Sequence, residues 1–222
     1  MASNTLTGDL RVLGNIAGDS FSLSSGCVSN DGIASNAAIA RSKLAQDALK
    51  CYPIPWEAWR VFDAFATNLP GTSANDDLAL VGGAHGTNSP SIQTSDLKSA
   101  GATTRKARVV VALPAEYDAG QTVTLRISGG MITTAADNAA TVDVIAYKGN
   151  REAGIGSDLC ATAAQSINSL NYADKDFTIT PTGLEPGDVL DIEVDVAVND
   201  AASGTAVIAC LGAVEMLFDV KG

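Results

Sequence analysis

The segment that decides the fold spans residues 188–200 and reads Asp-Val-Leu-Asp-Ile-Glu-Val-Asp-Val-Ala-Val-Asn-Asp. Apolar residues occupy every second position from Leu190 to Val198, and mostly acidic residues fill the positions between them. Because successive side chains of a strand point to opposite sides, this alternation predicts a β-strand with one apolar and one acidic face. Burial of the five aliphatic side chains would contribute about 7–15 kcal/mol before the loss of chain entropy is subtracted. The rest of the chain is therefore expected to supply partners for that apolar face.

The composition of the whole chain indicates a sizeable aliphatic core and an acidic surface. The 222 residues are 46% hydrophobic but only 5% aromatic, and their formal net charge is −11. This length fits one large β domain with an arm, or two small domains. Nucleic-acid binding and attraction to anionic membranes both depend on basic residues, so we expect neither partner. The negative charge favours solubility in a crowded assembly.

The sequence shows no targeting or membrane signal and no arrangement typical of a metal site. It begins Met-Ala-Ser-Asn-Thr-Leu, without a basic start or an apolar block, and its longest apolar run, residues 206–214, is too short to span a bilayer. The four cysteines are scattered and there is one histidine, which does not favour structural zinc. We expect free, buried thiols at Cys27, Cys51, Cys160 and Cys210.

Residues 1–52 have the pattern of an attachment or trimerisation arm. Residues 1–30 alternate weakly and are interrupted by glycines, which predicts short strands that cannot bury a core by themselves. From Ser35 onward the apolar spacing changes to three and four residues, which predicts a helix of about 15 residues with a narrow alanine and leucine stripe. That stripe either faces other copies or a host surface, or packs back onto its own domain. Residues 51–55, Cys-Tyr-Pro-Ile-Pro, predict a stiff linker.

Residues 56–222 carry a succession of strand and turn signals without a second helical pattern. The turn at residues 183–187 and the turn at residues 199–204 predict that residues 189–220 form a long hairpin. The chain as a whole is predicted to be all-β, with an antiparallel jelly-roll sandwich as its body. Two long loops, residues 83–106 and 148–175, are expected to be functional or to contact a partner. Strands are predicted near residues 59–65, 78–82, 108–113, 122–127, 142–147, 176–180, 189–198 and 206–220.

No catalytic or cofactor-binding residue is predicted, and no cofactor is expected. His85 is the only histidine and lies in a glycine-rich loop without a nucleophile motif, so a surface position is expected. The glycines around it lack the Gly-Lys-Ser/Thr ending of a phosphate-binding loop, and Gly154-Ile155-Gly156 lacks the third glycine of a dinucleotide turn. No two carboxylates are marked as a glycosidase pair.

Two further groups of residues have alternative explanations. Asp191, Glu193 and Asp195 lie on one strand face, where they could hold a hard cation at a subunit junction. A solvated strand face is the simpler explanation and the expected one, so no metal ligand is predicted. Trp56 and Trp59 could form a platform on which a sugar stacks. Their position beside the linker favours a role in sealing the arm onto the sandwich.

Several segments resemble fibre-like and decoration-like proteins of tailed-bacteriophage virions. In the arm they are Thr7-Gly8-Asp9-Leu10, Gly14-Asn15-Ile16 and Ala37-Ala38-Ile39-Ala40-Arg41-Ser42-Lys43-Leu44. In the body they are Leu113-Pro114-Ala115-Glu116-Tyr117, residues 122–130, and residues 181–190 with their Gly-Leu-Glu-Pro-Gly-Asp turn. The resemblance spans nearly the whole chain, and its motifs are structural rather than catalytic.

The resemblance implies a non-enzymatic, homotrimeric capsid decoration (cement) or head-fibre protein. Such a protein would assemble in the host cytoplasm, reside in the virion, and bind copies of itself and the major capsid protein or another virion protein. The alternative is a receptor-binding tail fibre or spike that recognises a host glycan through the long loops. The residues expected at the attachment or trimer contact are Leu10, Val12, Ile39, Ala40, Leu44, Trp56 and Trp59.

Overall fold

The structure is a computed structural model that describes residues 49–149, 155–201 and 204–220. All of these residues belong to one unit of the chain, Ala45–Gly222. Within the described ranges the regular structure consists of ten strands and a short 3-10 turn at Trp56–Ala58. The strands are β1 (Leu49–Pro53), β2 (Ala79–Val81), β3 (Ser91–Gln93), β4 (Gly101–Ala112), β5 (Val123–Met131), β6 (Ala139–Gly149), β7 (Gln165–Ser166), β8 (Ala173–Ile179), β9 (Val189–Asp200) and β10 (Ala209–Asp219).

The strands form two antiparallel sheets whose inner faces share one hydrophobic core. The six-stranded sheet has the order β2-β3-β10-β5-β8, and β1 pairs with the part of β10 that β3 leaves free. The four-stranded sheet has the order β4-β9-β6-β7. Buried residues of both sheets belong to the same core cluster. The predicted all-β fold, an antiparallel, jelly-roll-like sandwich, is confirmed; the predicted arm with its helix falls on residues that lie almost entirely outside the described ranges.

Strand β9 has one apolar and one acidic face, as its alternation predicts, and it is a central strand of the four-stranded sheet. Its five alternating aliphatic residues, from Leu190 to Val198, are at most 1% exposed. On one edge β9 pairs with β4 along its whole length, and on the other edge it pairs with β6. Val194 lies at the middle, between Ala107 of β4 and Val144 of β6. The apolar face of this strand therefore forms much of one wall of the core.

The predicted hairpin of residues 189–220 is wrong. Strand β10 belongs to the six-stranded sheet, where it pairs with β5, β1 and β3. A strand has only two edges for hydrogen bonding, and β4 and β6 occupy both edges of β9. The chain must therefore cross to the other sheet before β10 begins.

The predicted linker at residues 51–55 is also wrong, because most of it belongs to a strand. Strand β1 pairs antiparallel with β10, from Leu49 opposite Asp219 to Pro53 opposite Glu215. Ile54 then donates its backbone N–H to Val214 at 2.8 Å and is only 6% exposed. Proline is tolerated at the end of an edge strand because no ladder hydrogen bond is needed there. The division into an arm of residues 1–52 and a body of residues 56–222 stays a prediction.

Several predicted element boundaries differ from the observed ones. Residues 59–65 form no strand; Arg60 makes isolated bridges to Asn68 and to Arg108. The predicted loop of residues 83–106 contains β3 and the first half of β4, and the predicted loop of residues 148–175 contains β7 and the start of β8. Polar and small residues dominate these strands, so the apolar alternation that marks β9 is absent from them.

Among the described cysteines, Cys51, Cys160 and Cys210 are free, which agrees with the expectation of unpaired thiols. Their burial differs: Cys210 is buried, Cys160 is partly exposed and Cys51 is exposed on β1. Burial was predicted for all four, and it fails at Cys51 because β1 lies at the edge of its sheet. Within the described ranges, no helix has the length and apolarity needed to cross a membrane.

Candidate functional site

The outer face of the six-stranded sheet carries an open groove with a volume of about 560 Å³. This volume lies within the range of about 300–1,000 Å³ that is usual for small-molecule sites. Segments that are far apart in the sequence meet there. The groove is lined by residues 81–83 and 88–91, Gln93, Ile132, Tyr172, Cys210 and Gly212.

A glycine of β5 allows the segment before β8 to lie directly against the sheet beside the groove. A Cβ atom at Gly130 would lie 3.0 Å from the backbone oxygen of Ser169 and 3.2 Å from the ring of Tyr172. The backbone N–H of Met131 donates to the same Ser169 oxygen at 2.7 Å. Residue 130 must therefore lack a side chain if Tyr172 is to keep its position.

Tyr172 is the aromatic residue of the groove. It is 44% exposed, its ring lies against Gly130, and it lines the groove together with the buried Cys210. Burial of the hydroxyl, followed by its contact with Cys210, raises the pKa of Tyr172 well above its ordinary value. The ring therefore presents an apolar surface to the groove while its hydroxyl stays neutral.

The rest of the groove combines uncharged polar groups with aliphatic surface. Asn88 and Ser89 are exposed on one side, and the Gln93 amide donates to the Ser91 hydroxyl at 2.8 Å. Ile132, which is 42% exposed, contributes aliphatic surface. None of the lining residues within the described ranges is Asp, Glu, Lys, Arg or His.

Both of the long loops expected to be functional contribute to this groove. The first supplies residues 83, 88–91 and 93, and the second supplies Tyr172. The groove residues themselves were not predicted. The signal that could have found them is the pair Gly129-Gly130 inside an otherwise regular strand, since an interior glycine marks a place where something approaches the backbone closely.

Replacement of Gly130 by alanine tests this arrangement. The added methyl group must displace Ser169 and Tyr172, so we expect the free energy of unfolding in urea to fall by about 1–3 kcal/mol. Gly212→Ala is the matched control, because a Cβ there would have its nearest neighbour at 3.6 Å, an ordinary contact. It should change stability by less than about 0.5 kcal/mol. Equal effects of the two substitutions would contradict the close approach at residue 130.

A second polar region lies on the outer face of the four-stranded sheet, and we call it the ion-pair cluster. The Lys106 ammonium lies 2.6 Å from a Glu193 oxygen and 3.1 Å from an Asp195 oxygen. Arg108 binds Asp191 through two nitrogens, with its Nε 2.7 Å from Oδ1. The cluster consists of Lys106, Arg108, Asp191, Glu193 and Asp195.

Aromatic rings partly cover the cations of the ion-pair cluster. The Lys106 ammonium lies 4.7 Å from the ring centre of Phe62, and the Arg108 guanidinium lies 5.1 Å from that of Phe65. The acidic side chains are only 14–21% exposed, so the expectation of a solvated acidic face is wrong. The cations of the neighbouring strand pair with the acidic side chains, and the two phenylalanines cover those cations.

The electrostatics of this cluster follow from its burial and pairing. Burial raises the pKa of the Glu193 carboxyl, although its hydrogen bond with Lys106 acts in the opposite direction. Burial also disfavours the Lys106 cation, but hydrogen bonds to Glu193 and Asp195 outweigh it and raise the pKa of Lys106. Within the described ranges, no group of three or more His, Cys, Asp or Glu side chains is arranged to hold a metal ion. The carboxylates are thus arranged as partners of Lys106 and Arg108.

The other residues singled out by the sequence lie apart from the groove floor or outside the described ranges. Trp59 is 1% exposed in the core, so it cannot act as a sugar platform. Trp56 is partly exposed, and its indole N–H donates to the backbone oxygen of Gly212 at 2.6 Å. His85 is exposed in the loop between β2 and β3 and does not line the groove. The attachment or trimer role of the tryptophans stays a prediction, as does that of the residues outside the described ranges, namely Leu10, Val12, Ile39, Ala40 and Leu44.

Comparison with known proteins finds no matching family model and no matching curated protein. Among solved structures, the chain is similar to a family 16 carbohydrate-binding module, with 15% identity over 66% of this chain and 88% of that one and a TM-score of 0.36. It is similar to the CBM22-1 xylan-binding domain of Paenibacillus barcinonensis Xyn10C, with 10% identity, coverage of 65% and 82%, and a TM-score of 0.36.

A third similar structure is the enzymatically active domain of tailspike protein 4 from bacteriophage CBA120. The identity is 11%, the TM-score is 0.36, and the alignment covers 78% of this chain but only 20% of that one. All three alignments are too distant for a function to be transferred to this chain.

Proposed function

We propose that this chain is a non-enzymatic structural protein of a phage virion whose sandwich body binds a carbohydrate in the groove. The observation that carries the binding function is the partly exposed ring of Tyr172 beside uncharged amide and hydroxyl side chains. An aromatic ring packs against the C–H face of a sugar, and amides and hydroxyls exchange hydrogen bonds with its hydroxyl groups. A groove of this size and composition suits one or a few sugar units.

The non-enzymatic part of the proposal is supported by the chemistry of the lining residues. Most glycoside hydrolases use two carboxyl groups placed on either side of the bond that is cleaved. None of the described lining residues has a carboxyl group or an imidazole, and the raised pKa of the Tyr172 hydroxyl makes it a poor base near neutral pH. The described lining residues can therefore bind a ligand, but they provide no general acid or base for proton transfer.

Placement in a virion is supported by the resemblance of the arm and body segments to fibre-like and decoration-like phage proteins. In this proposal the part of the predicted arm that precedes β1 joins three copies and attaches them, as a capsid decoration or head fibre, to the major capsid protein or another virion protein. The body then projects from the virion surface and displays its groove. A receptor-binding tail protein is the second candidate, and the groove favours it because host-surface glycans are carbohydrates.

An N-terminal truncation tests the attachment role. Because β1 begins at Leu49 and Ile54 is buried, a body that starts at Ala45 should fold, whereas one that starts at Trp56 lacks an edge strand. We expect the Ala45 truncation to have native circular dichroism, to be monomeric by light scattering, and to lose binding to virions or capsids lacking this protein. A truncated body that stays trimeric, or that binds capsids as well as the full chain, would contradict the arm's role.

Filling the groove tests the binding function. Gly212→Leu places a larger side chain beside Tyr172 in the groove, and Gly212→Ala is the matched control. On an array of host-surface glycans, the native protein and Gly212→Ala should bind the same glycans, and Gly212→Leu should bind them at least about tenfold more weakly, a loss of about 1.4 kcal/mol. Failure of the native protein to bind any glycan, or undiminished binding by Gly212→Leu, would refute the proposal.

A further inference from the structure

We infer that the groove selects electrically neutral sugars and rejects sugars that carry carboxylate, sulfate or phosphate groups. This inference rests on the proposed carbohydrate-binding function and specifies the class of its ligand. Which glycans the groove binds is determined by the charges on and near the outer face of the six-stranded sheet.

The groove offers no cation to an anionic ligand. Its described lining residues include amide, hydroxyl and thiol groups but no Lys, Arg or His. An anionic group placed against Tyr172 and Ile132 would lose part of its hydration without gaining a charged partner, which is strongly unfavourable. Neutral hydroxyl groups lose less hydration there and find partners in the Gln93 and Asn88 amides.

Arg126, which lies on the same face of β5 as Gly130, already pairs with carboxylates outside the groove. Arg126 lies four residues before Gly130, which places it about 13 Å away at the rise of ~3.3 Å per residue in a strand. Its guanidinium binds both oxygens of Asp176, at 2.7 and 2.8 Å, and a Glu215 oxygen lies 4.0 Å from it. The hydrogen bonds to Asp176 are the main reason that the pKa of Arg126 is raised. Arg126 therefore cannot compensate an anion in the groove.

The charge of the whole chain acts in the same direction. With a formal net charge of −11, the protein repels anionic glycans during approach, although salt weakens this effect beyond about 10 Å. Neutral glycans meet no such barrier. Short-range desolvation and long-range repulsion thus both favour an uncharged ligand.

Tyr172 is the binding residue that should decide affinity, and Gln93 is the one that should decide charge selectivity. The Tyr172 ring packs against the backbone at Gly130 and leaves 44% of the residue exposed for a sugar to stack on. The Gln93 side chain lies in the groove with its amide near Ser91, where a lysine side chain would bring an ammonium group to the same place.

The test uses the full chain and two matched panels of immobilised oligosaccharides. The neutral panel contains glucose, galactose, mannose and N-acetylglucosamine units, and the acidic panel contains glucuronic, galacturonic and sialic acids. The native protein should bind members of the neutral panel and bind their acidic counterparts at least about tenfold more weakly. Tyr172→Ala should lose at least about tenfold of the affinity for the neutral panel.

A charge substitution gives the inference an independent test. Gln93→Lys should raise binding to the acidic panel at least about tenfold, whereas Gln93→Met, uncharged and similar in length, should not. Urea unfolding of each variant establishes that the fold is retained. Equal native binding to both panels would overturn the selectivity and leave the carbohydrate function standing. Absence of native binding to both panels would overturn the carbohydrate function and the inference together.

Discussion

Replacement of Val194 by aspartate is expected to prevent the body from folding. Val194 is fully buried at the middle of β9, between Ala107 and Val144 on the neighbouring strands. A carboxylate at this position would be surrounded by aliphatic side chains without a partner, and its desolvation costs several kcal/mol or forces protonation. Since whole domains are stable by only about 5–15 kcal/mol, this single change is comparable to the total stability.

Circular dichroism and urea unfolding measure this effect, and Val194→Ala is the control. The alanine variant loses two methyl groups and gains a small cavity, which should lower the free energy of unfolding by about 1–3 kcal/mol and leave the fold intact. A Val194→Asp protein with native circular dichroism and a native urea midpoint would show that β9 does not lie at the centre of the core.

Removal of the Lys106 charge is expected to have the second largest effect, and one that depends on pH. In Lys106→Met, Glu193 and Asp195 lose their cation, and Asp143 lies directly opposite Asp195 across the strand pair. Because these side chains are partly exposed, we expect a loss of about 1–3 kcal/mol at pH 7, less than for a fully buried pair.

The sign of the pH dependence follows from the Glu193 carboxyl. Burial raises its pKa in the folded state, so ionisation of Glu193 destabilises the fold as pH rises through its unfolded and then its folded pKa. Lys106 counteracts part of that cost, and its removal raises the pKa of Glu193 further. The difference in stability between Lys106→Met and the native protein should therefore shrink as pH falls from 7 toward 4.

Urea unfolding at several pH values tests this prediction. Lys98→Met is the control, because Lys98 pairs with Asp96 at 2.9 Å but its side chain is 62% exposed. That substitution should change stability by less than about 0.5 kcal/mol. An effect of Lys106→Met no larger than that of Lys98→Met, or one that is constant from pH 7 to pH 4, would contradict the role of the ion-pair cluster.

Local alternation predicted β9 and several other strands but could not predict which strands pair. Residues 188–200 are correctly assigned because every second side chain is aliphatic, and that pattern needs no knowledge of the neighbours. The partner β4 carries the complementary pattern, Lys106-Ala107-Arg108-Val109, whose basic residues match the acidic face of β9. Taken together, the two patterns predict that basic residues of β4 pair with the acidic face of β9, so that this face is not solvated. A β4–β9 pair also argues against a β9–β10 hairpin.

The groove was harder to predict because its residues come together only after the six-stranded sheet has formed. Tyr172 follows two exposed residues and precedes a polar strand, so its local sequence gives no sign of a site. The glycines of β5 and β10 explain its position only when Ser169 and Tyr172 are seen against them. The two long loops that were expected to be functional both supply residues to the groove, although parts of both are strands.

The most direct test of the central claim is an NMR titration of the full chain with the neutral oligosaccharide that binds best on the panel. The claim is that the protein holds a carbohydrate in the groove on the outer face of its six-stranded sheet. It predicts that amide signals of Gln93, Tyr172 and Gly212 shift with one saturable binding curve. Shifts confined to the ion-pair cluster on the opposite sheet, or no shifts at any concentration, would contradict it.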